Sequence, residues 1–159
     1  MAQLVVNISE MAVSKKPADV LVTYSLGSCL GVTVWDPELR AGGLIHCLLP
    51  MSKLSPDKAQ TNPDMFVNTG VARLVKTLLR MGAEKERLVI KAAGGGKMMG
   101  LNDLFNVGAR NLTSLLKLLD VNGLKLAAMN VGQSVPRTMY LHIDSGEVLV
   151  KSLRVVTAL

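Results

Sequence analysis

Four short runs rich in β-branched and aliphatic residues, at 4–8, 20–25, 30–35 and 44–49, follow one another with Pro, Gly and Asp between them. Runs of this kind read as strands, so the first third of the chain is a succession of β-strands. The period then changes. Asn62 is placed to cap a helix, Pro63 suits its first turn, and Val71, Leu74, Val75, Leu78 and Leu79 form one apolar stripe before Gly82 ends it. A strand at 87–93 comes next. Asn106 is placed to cap a second helix, with Leu112, Leu115, Leu116 and Leu119 facing inward and Gly123 as its stop. Runs at 124–131, 137–143 and 147–155 complete the pattern, the last two joined by a tight turn at Asp144-Ser-Gly146. The order predicts a layered α/β sandwich: a mostly antiparallel or mixed sheet with two main helices packed on it. No repeat, low-complexity tract or interior linker divides the chain, so a single domain over 1–159 is expected.

Hydrophobic residues make up 49% of the chain and aromatics only 3%, so the core must be aliphatic and methionine-rich. No uninterrupted apolar stretch approaches the roughly 20 residues of a membrane span. The start Met1-Ala-Gln reads as a strand without the basic opening and apolar core of a secretory leader. Two cysteines without paired spacing give no disulfide framework, and the cytoplasm is the expected compartment. A net charge of +6 favours acidic partners, but the basic residues are scattered singly and aromatics are too few for a base-stacking platform. An acidic protein surface is the expected partner, and nucleic acid is not.

The chemistry is concentrated in Thr23-Tyr-Ser-Leu-Gly-Ser-Cys29-Leu-Gly31 and Gly42-Gly-Leu-Ile-His46, which place a thiol in a glycine-rich bend and an imidazole on the next apolar run. A thiol becomes a strong nucleophile as the thiolate, obtained beside an imidazolium or a concentration of backbone N–H groups. A cysteine among apolar residues is ordinarily a small core side chain. Here Gly27 and Gly31 flank it, and a core position does not need flexible backbone on both sides. The amides of Ser28 and Cys29 are then available to a substrate oxygen, which points to acyl transfer on an amide or ester. Strand alternation sends His46 and Leu48 to one face and Cys47 to the other, so Cys47 is expected to be core and inert. Gly94-Gly-Gly-Lys97 lacks the spacing and hydroxyl of a phosphate loop and reads as a structural turn. Cys29, His46, Cys47 and His142 lack the spacing of a zinc site.

Thr-x-x-Leu-Gly-Ser-Cys29, Asp36-Pro37, and Gly-Gly-x-x-His46-x-x-Leu-Pro50 together resemble the CheD family, the chemoreceptor glutamine deamidases of bacterial chemotaxis. Met11-Ala-Val-Ser and Pro17 to Thr23, Lys91-Ala-Ala-Gly94-Gly95, Asn106 to Asn111, and the hairpin around Asp144-Ser-Gly146 extend the likeness almost end to end. The resemblance implies that glutamines on chemoreceptor cytoplasmic helices become glutamate with release of ammonia. Methylesterase activity on receptor glutamate esters passes through the same tetrahedral geometry. It implies Cys29 as nucleophile, His46 as base and Thr23 as the group supporting the imidazole, with no cofactor or metal. It also implies a second role, docking to a CheC-type chemotaxis phosphatase. Two positions depart from the pattern: Ser25 stands where the family usually has glycine, and Gln133 replaces the second glycine of a Gly-Gly before Arg137.

Overall fold

A computed structural model describes residues 2–98 and 105–159. In chain order its elements are β1 (Ala2–Val5), β2 (Met11–Ser14), β3 (Asp19–Leu26), β4 (Leu30–Asp36), β5 (Ala41–Cys47), α1 (Pro56–Thr61), α2 (Val67–Arg80), β6 (Val89–Gly94), α3 (Val107–Val121), β7 (Leu126–Val131), β8 (Arg137–His142), β9 (Val148–Ser152) and β10 (Val155–Ala158). The strands divide between two five-stranded sheets, ordered β1-β3-β8-β9-β10 and β2-β5-β4-β6-β7. Pairing is mostly antiparallel, as expected, with one parallel pair in each sheet, β1 on β3 and β6 on β7.

Alternation along β4 and β5 builds two cores at once. Leu30, Val32, Val34, Ile45 and Cys47 face α2 and α3, where they meet Val71, Leu74, Leu78, Leu115 and Leu119. Leu44 of β5 faces the opposite way, toward Leu21, Leu26, Met139 and Leu141 of the other sheet. The layers therefore run helices, sheet, sheet, with one apolar core in each gap. Glycine sets the first gap: a Cβ on Gly43 would strike the Leu74 side chain, and one on Gly70 would come within 2.7 Å of Ile45. At the end of β4, Asp36 is fully buried and is held by Arg87 and by the N–H groups of Glu38, Leu39 and Glu84.

Several element ends differ from the sequence reading. Asn62 makes no capping bond, and Pro63–Met65 is a separate 3-10 turn; α2 starts only at Val67. The N–H groups of Val67 and Asn68 donate to the carbonyls of Leu49 and Pro50, so tertiary partners replace a side-chain cap. Leu79 and Leu116 are 38% and 43% exposed, while Asn111 and Ser114 take the inward face of α3 with Leu115 and Leu119. The run at 147–155 is broken into β9 and β10 at Leu153, whose φ of +56° turns the chain without a glycine. Met11–Ser14 is an additional strand, paired with β5. Gly82 and Gly123 end α2 and α3 at positive φ, as their type requires. Gly94 and Gly95 also turn at positive φ, the structural role expected of that glycine run.

Candidate active site

The chain passes from one sheet to the other through the bend that follows β3, so Cys29 lies where the two sheets are joined. A β-bulge prepares that crossing. Thr23 pairs with Met139 and Leu26 with Arg137, which leaves an extra residue on β3, and Ser25 within it has φ of +59°. Gln133 has φ of +57°. Both departures from the family glycines thus fall in left-handed backbone, where glycine carries no Cβ penalty. Ser25→Gly and Gln133→Gly are each expected to stabilise the protein by about 0.5–1 kcal/mol. A urea midpoint that rises at constant slope is the check.

The flanking glycines have a different function from the one inferred. Neither Gly27 nor Gly31 is among the positive-φ positions. Close neighbours surround them instead: a Cβ on Gly31 would sit 2.9 Å from Leu26 and 3.0 Å from Met139, and one on Gly27 would sit 3.2 Å from the flexible Met98 side chain. The residue that does require glycine conformation beside the bend is Gly94, at φ of +105°, whose Cβ would collide with the Cys29 carbonyl. A cavity of about 10 Å³ beside the bend, lined by Ser28, Gly96, Lys97, Met98 and Asn106 to Gly108, has room for about one water.

Thr23 and His46 meet across the inter-sheet core. Both are fully buried, and Thr23 Oγ1 lies 2.7 Å from His46 Nδ1. The same hydroxyl donates to the Val6 carbonyl at 2.6 Å. A hydroxyl has one proton, and with that proton on Val6 the oxygen accepts from Nδ1–H. The imidazole is thereby fixed with Nε2 unprotonated, and Nε2 is buried without a hydrogen-bond partner among the described residues. The strand is pinned at this residue, since the His46 N–H donates to the Glu10 carbonyl and the His46 carbonyl accepts from the Ser9 N–H.

Register sets the relation of the imidazole to the sulfur. His46 is opposite Gly31, two residues along from Cys29, so the two side chains share a face as diagonal neighbours. They are not hydrogen-bonded to each other. Cys47 points the other way into the helix-facing core, fully buried, as alternation required. Cys29 and Cys47 are both free thiols on opposite faces of the sheet and cannot share a metal ion with His46.

Burial governs the resting charge. It pushes the Cys29 thiol up to about 11 against a smaller lowering by its own N–H, and pushes His46 down to about 4. The resting pair is therefore neutral, which corrects the expectation of a standing thiolate beside an imidazolium. Desolvation disfavours both ions, so proton transfer must accompany attack. Because folded His46 binds its proton less readily than the unfolded side chain, stability is full above about pH 6.5 and declines as pH falls toward 4. The contribution is roughly 3 kcal/mol. Comparing urea unfolding of wild type and His46→Asn between pH 7 and 4.5 should show a steeper decline in wild type.

The profile described as CheD chemotactic sensory transduction matches residues 48–152, beginning just after His46. The chain is 39% identical over 152 residues, 96% of its length and 95% of the relative, to the "Probable chemoreceptor glutamine deamidase CheD 1" of Syntrophus aciditrophicus. The chain belongs to the CheD family. Another CheD relative, the "Chemoreceptor glutamine deamidase CheD" of Thermotoga maritima, is 39% identical over 149 residues, covering 94% of this chain and 91% of that one. A third, from Anaeromyxobacter dehalogenans, is 41% identical over 152 residues, with 96% of both chains covered. Among the described residues no helix is long and apolar enough to cross a membrane.

Two site residues escaped the sequence reading. Val6 enters through its carbonyl, which no side-chain pattern marks. Asn111 donates from α3 to the carbonyls of Ser28 and Leu48. The spacing of Gly108, Asn111, Leu115 and Leu119 along one helical face would have placed it inward.

Proposed function

We propose that this protein is a cysteine-dependent protein-glutamine deamidase of the cytoplasm, converting glutamines on chemoreceptor cytoplasmic helices to glutamate. The observation that carries the reading is the Val6–Thr23–His46 chain, which leaves Nε2 as a free base on the face that carries Cys29. His46 takes the Cys29 proton as the sulfur attacks the carboxamide carbon, and backbone N–H groups at Ser28 and Cys29 hold the oxyanion. Collapse expels ammonia, protonated by His46, and leaves a thioester. Water deprotonated by the same imidazole cleaves the thioester and regenerates the thiol. The sequence of steps is chemically complete with these side chains.

Family membership supports the receptor as substrate, and the +6 charge suits an acidic surface. Docking to a CheC-type phosphatase rests on family likeness alone. The test is intact-mass measurement of a chemoreceptor cytoplasmic fragment after incubation with the protein. Each deamidation replaces an amide NH₂ with OH and adds about 1 Da. Unchanged fragment mass, with no ammonia released, would refute the reading.

A further inference from the structure

Asn111 is fully buried on α3, and its Nδ2 donates to the Ser28 carbonyl at 2.9 Å and to the Leu48 carbonyl at 3.2 Å. Those carbonyls mark the place where the β4–β5 ladder stops: its last pair is Leu30 with Cys47, and Cys29 with Leu48 would be next. One side-chain amide thus joins the bend carrying Cys29 to the segment that follows His46. Donation to two carbonyls fixes the orientation of the amide, because the reversed group would turn a third oxygen toward both. Its Oδ1 is left buried without a partner among the described residues. A side chain held only for packing gains nothing from an unmatched acceptor in the core.

In a planar trans peptide the carbonyl and the following N–H point in opposite directions. Holding the Ser28 oxygen toward α3 turns the Cys29 N–H away from α3; the Cys29 side chain itself packs in the inter-sheet core. We propose that Asn111 is a positioning residue for deamidation: by fixing the Ser28 carbonyl it aims the Cys29 N–H at the oxygen of the carboxamide under attack. Donation to the carbonyl also polarises the peptide and strengthens the N–H as a donor. Asn111 touches no reacting atom, and its role presupposes the deamidase reading above.

The test compares Asn111→Ala and the similarly sized Asn111→Leu with wild type. Two rates are measured: deamidation of a chemoreceptor cytoplasmic fragment, as kcat and KM, and alkylation of Cys29 by iodoacetamide. We expect kcat to fall about 10- to 1000-fold in both variants, the scale of one weakened oxyanion donor, with KM retained. Alkylation should keep its wild-type rate, because displacement of iodide at a saturated carbon develops no oxyanion. Unchanged kcat, or alkylation that falls in proportion to kcat, overturns the proposal; in the second case Asn111 places the sulfur instead. Loss of cooperative unfolding in both variants also overturns it, marking Asn111 as a folding determinant. An inactive wild type removes the deamidase reading itself, whereas an active wild type with equally active variants removes only the role of Asn111.

Discussion

Cys29→Ala is expected to abolish glutamine deamidation, a fall of about 10⁴-fold or more, as loss of a covalent nucleophile does elsewhere. The fold should survive, since the change removes a single sulfur from a bend whose backbone is held by other groups. The Cys29 carbonyl accepts from Gly95, and the Gly27 carbonyl from Gly96. Cys47→Ala provides the contrast. That thiol is fully buried in the helix-facing core, so its loss should cost about 1 kcal/mol of stability and leave most of the activity. Alkylation should separate the two thiols in the same sense. Cys29 is 7% exposed and Cys47 is not exposed at all, so reagent should reach Cys29 first, at a rate that climbs with pH toward the raised thiol pKa. Mutants that behave the other way round, or preferential labelling of Cys47, would show the nucleophile to be misassigned.

His46→Ala should lose nearly as much activity as Cys29→Ala, because it removes the only proton carrier in the proposed sequence of steps. Thr23→Val is the more informative change. It preserves shape but leaves Nδ1–H and the Val6 carbonyl without their shared hydroxyl. A misoriented imidazole still visits the productive tautomer, so turnover should drop about 10- to 1000-fold and not vanish. Stability should fall with it, by about 1–3 kcal/mol for buried polar groups left unpaired. Thr23→Ser keeps the hydroxyl and should recover most of the rate. Unchanged turnover in Thr23→Val would reduce the site to Cys29 and His46 and return Thr23 to an ordinary strand position.

Part of this candidate site was legible in the sequence alone. The residue types and spacing of Cys29 and His46 pointed to acyl-transfer chemistry, Thr23 entered only through the family resemblance, and the period-two rule alone separated His46 from Cys47, because adjacent side chains on a strand must point apart. Strand-sized apolar runs and two helical stripes gave the layered α/β class for the same kind of reason: these are local signals, written within a few residues. The family glycines missing at 25 and 133 were also visible as departures, although their meaning came only from the positive φ at both positions.

What tertiary structure decided depends on groups distant in the chain. The division of the strands into two facing sheets sets Thr23 of one against His46 of the other, 23 residues apart, and no local pattern encodes that pairing. The Val6 carbonyl that fixes the tautomer is a backbone atom present in every residue, so sequence carries no trace of it. Tertiary acceptors, the Leu49 and Pro50 carbonyls, displaced the expected Asn62 cap, and the rotation of α3 put Asn111 in the core and Leu116 outside. Gly27 and Gly31 show the division most clearly. Sequence marked both positions as special, but whether glycine serves an unusual φ or a close neighbour depends on what packs against it. Here Met98, Leu26 and Met139 supply the answer. The resting charge was decided in the same way, since burial of both thiol and imidazole is a property of the surrounding layers and not of the motif.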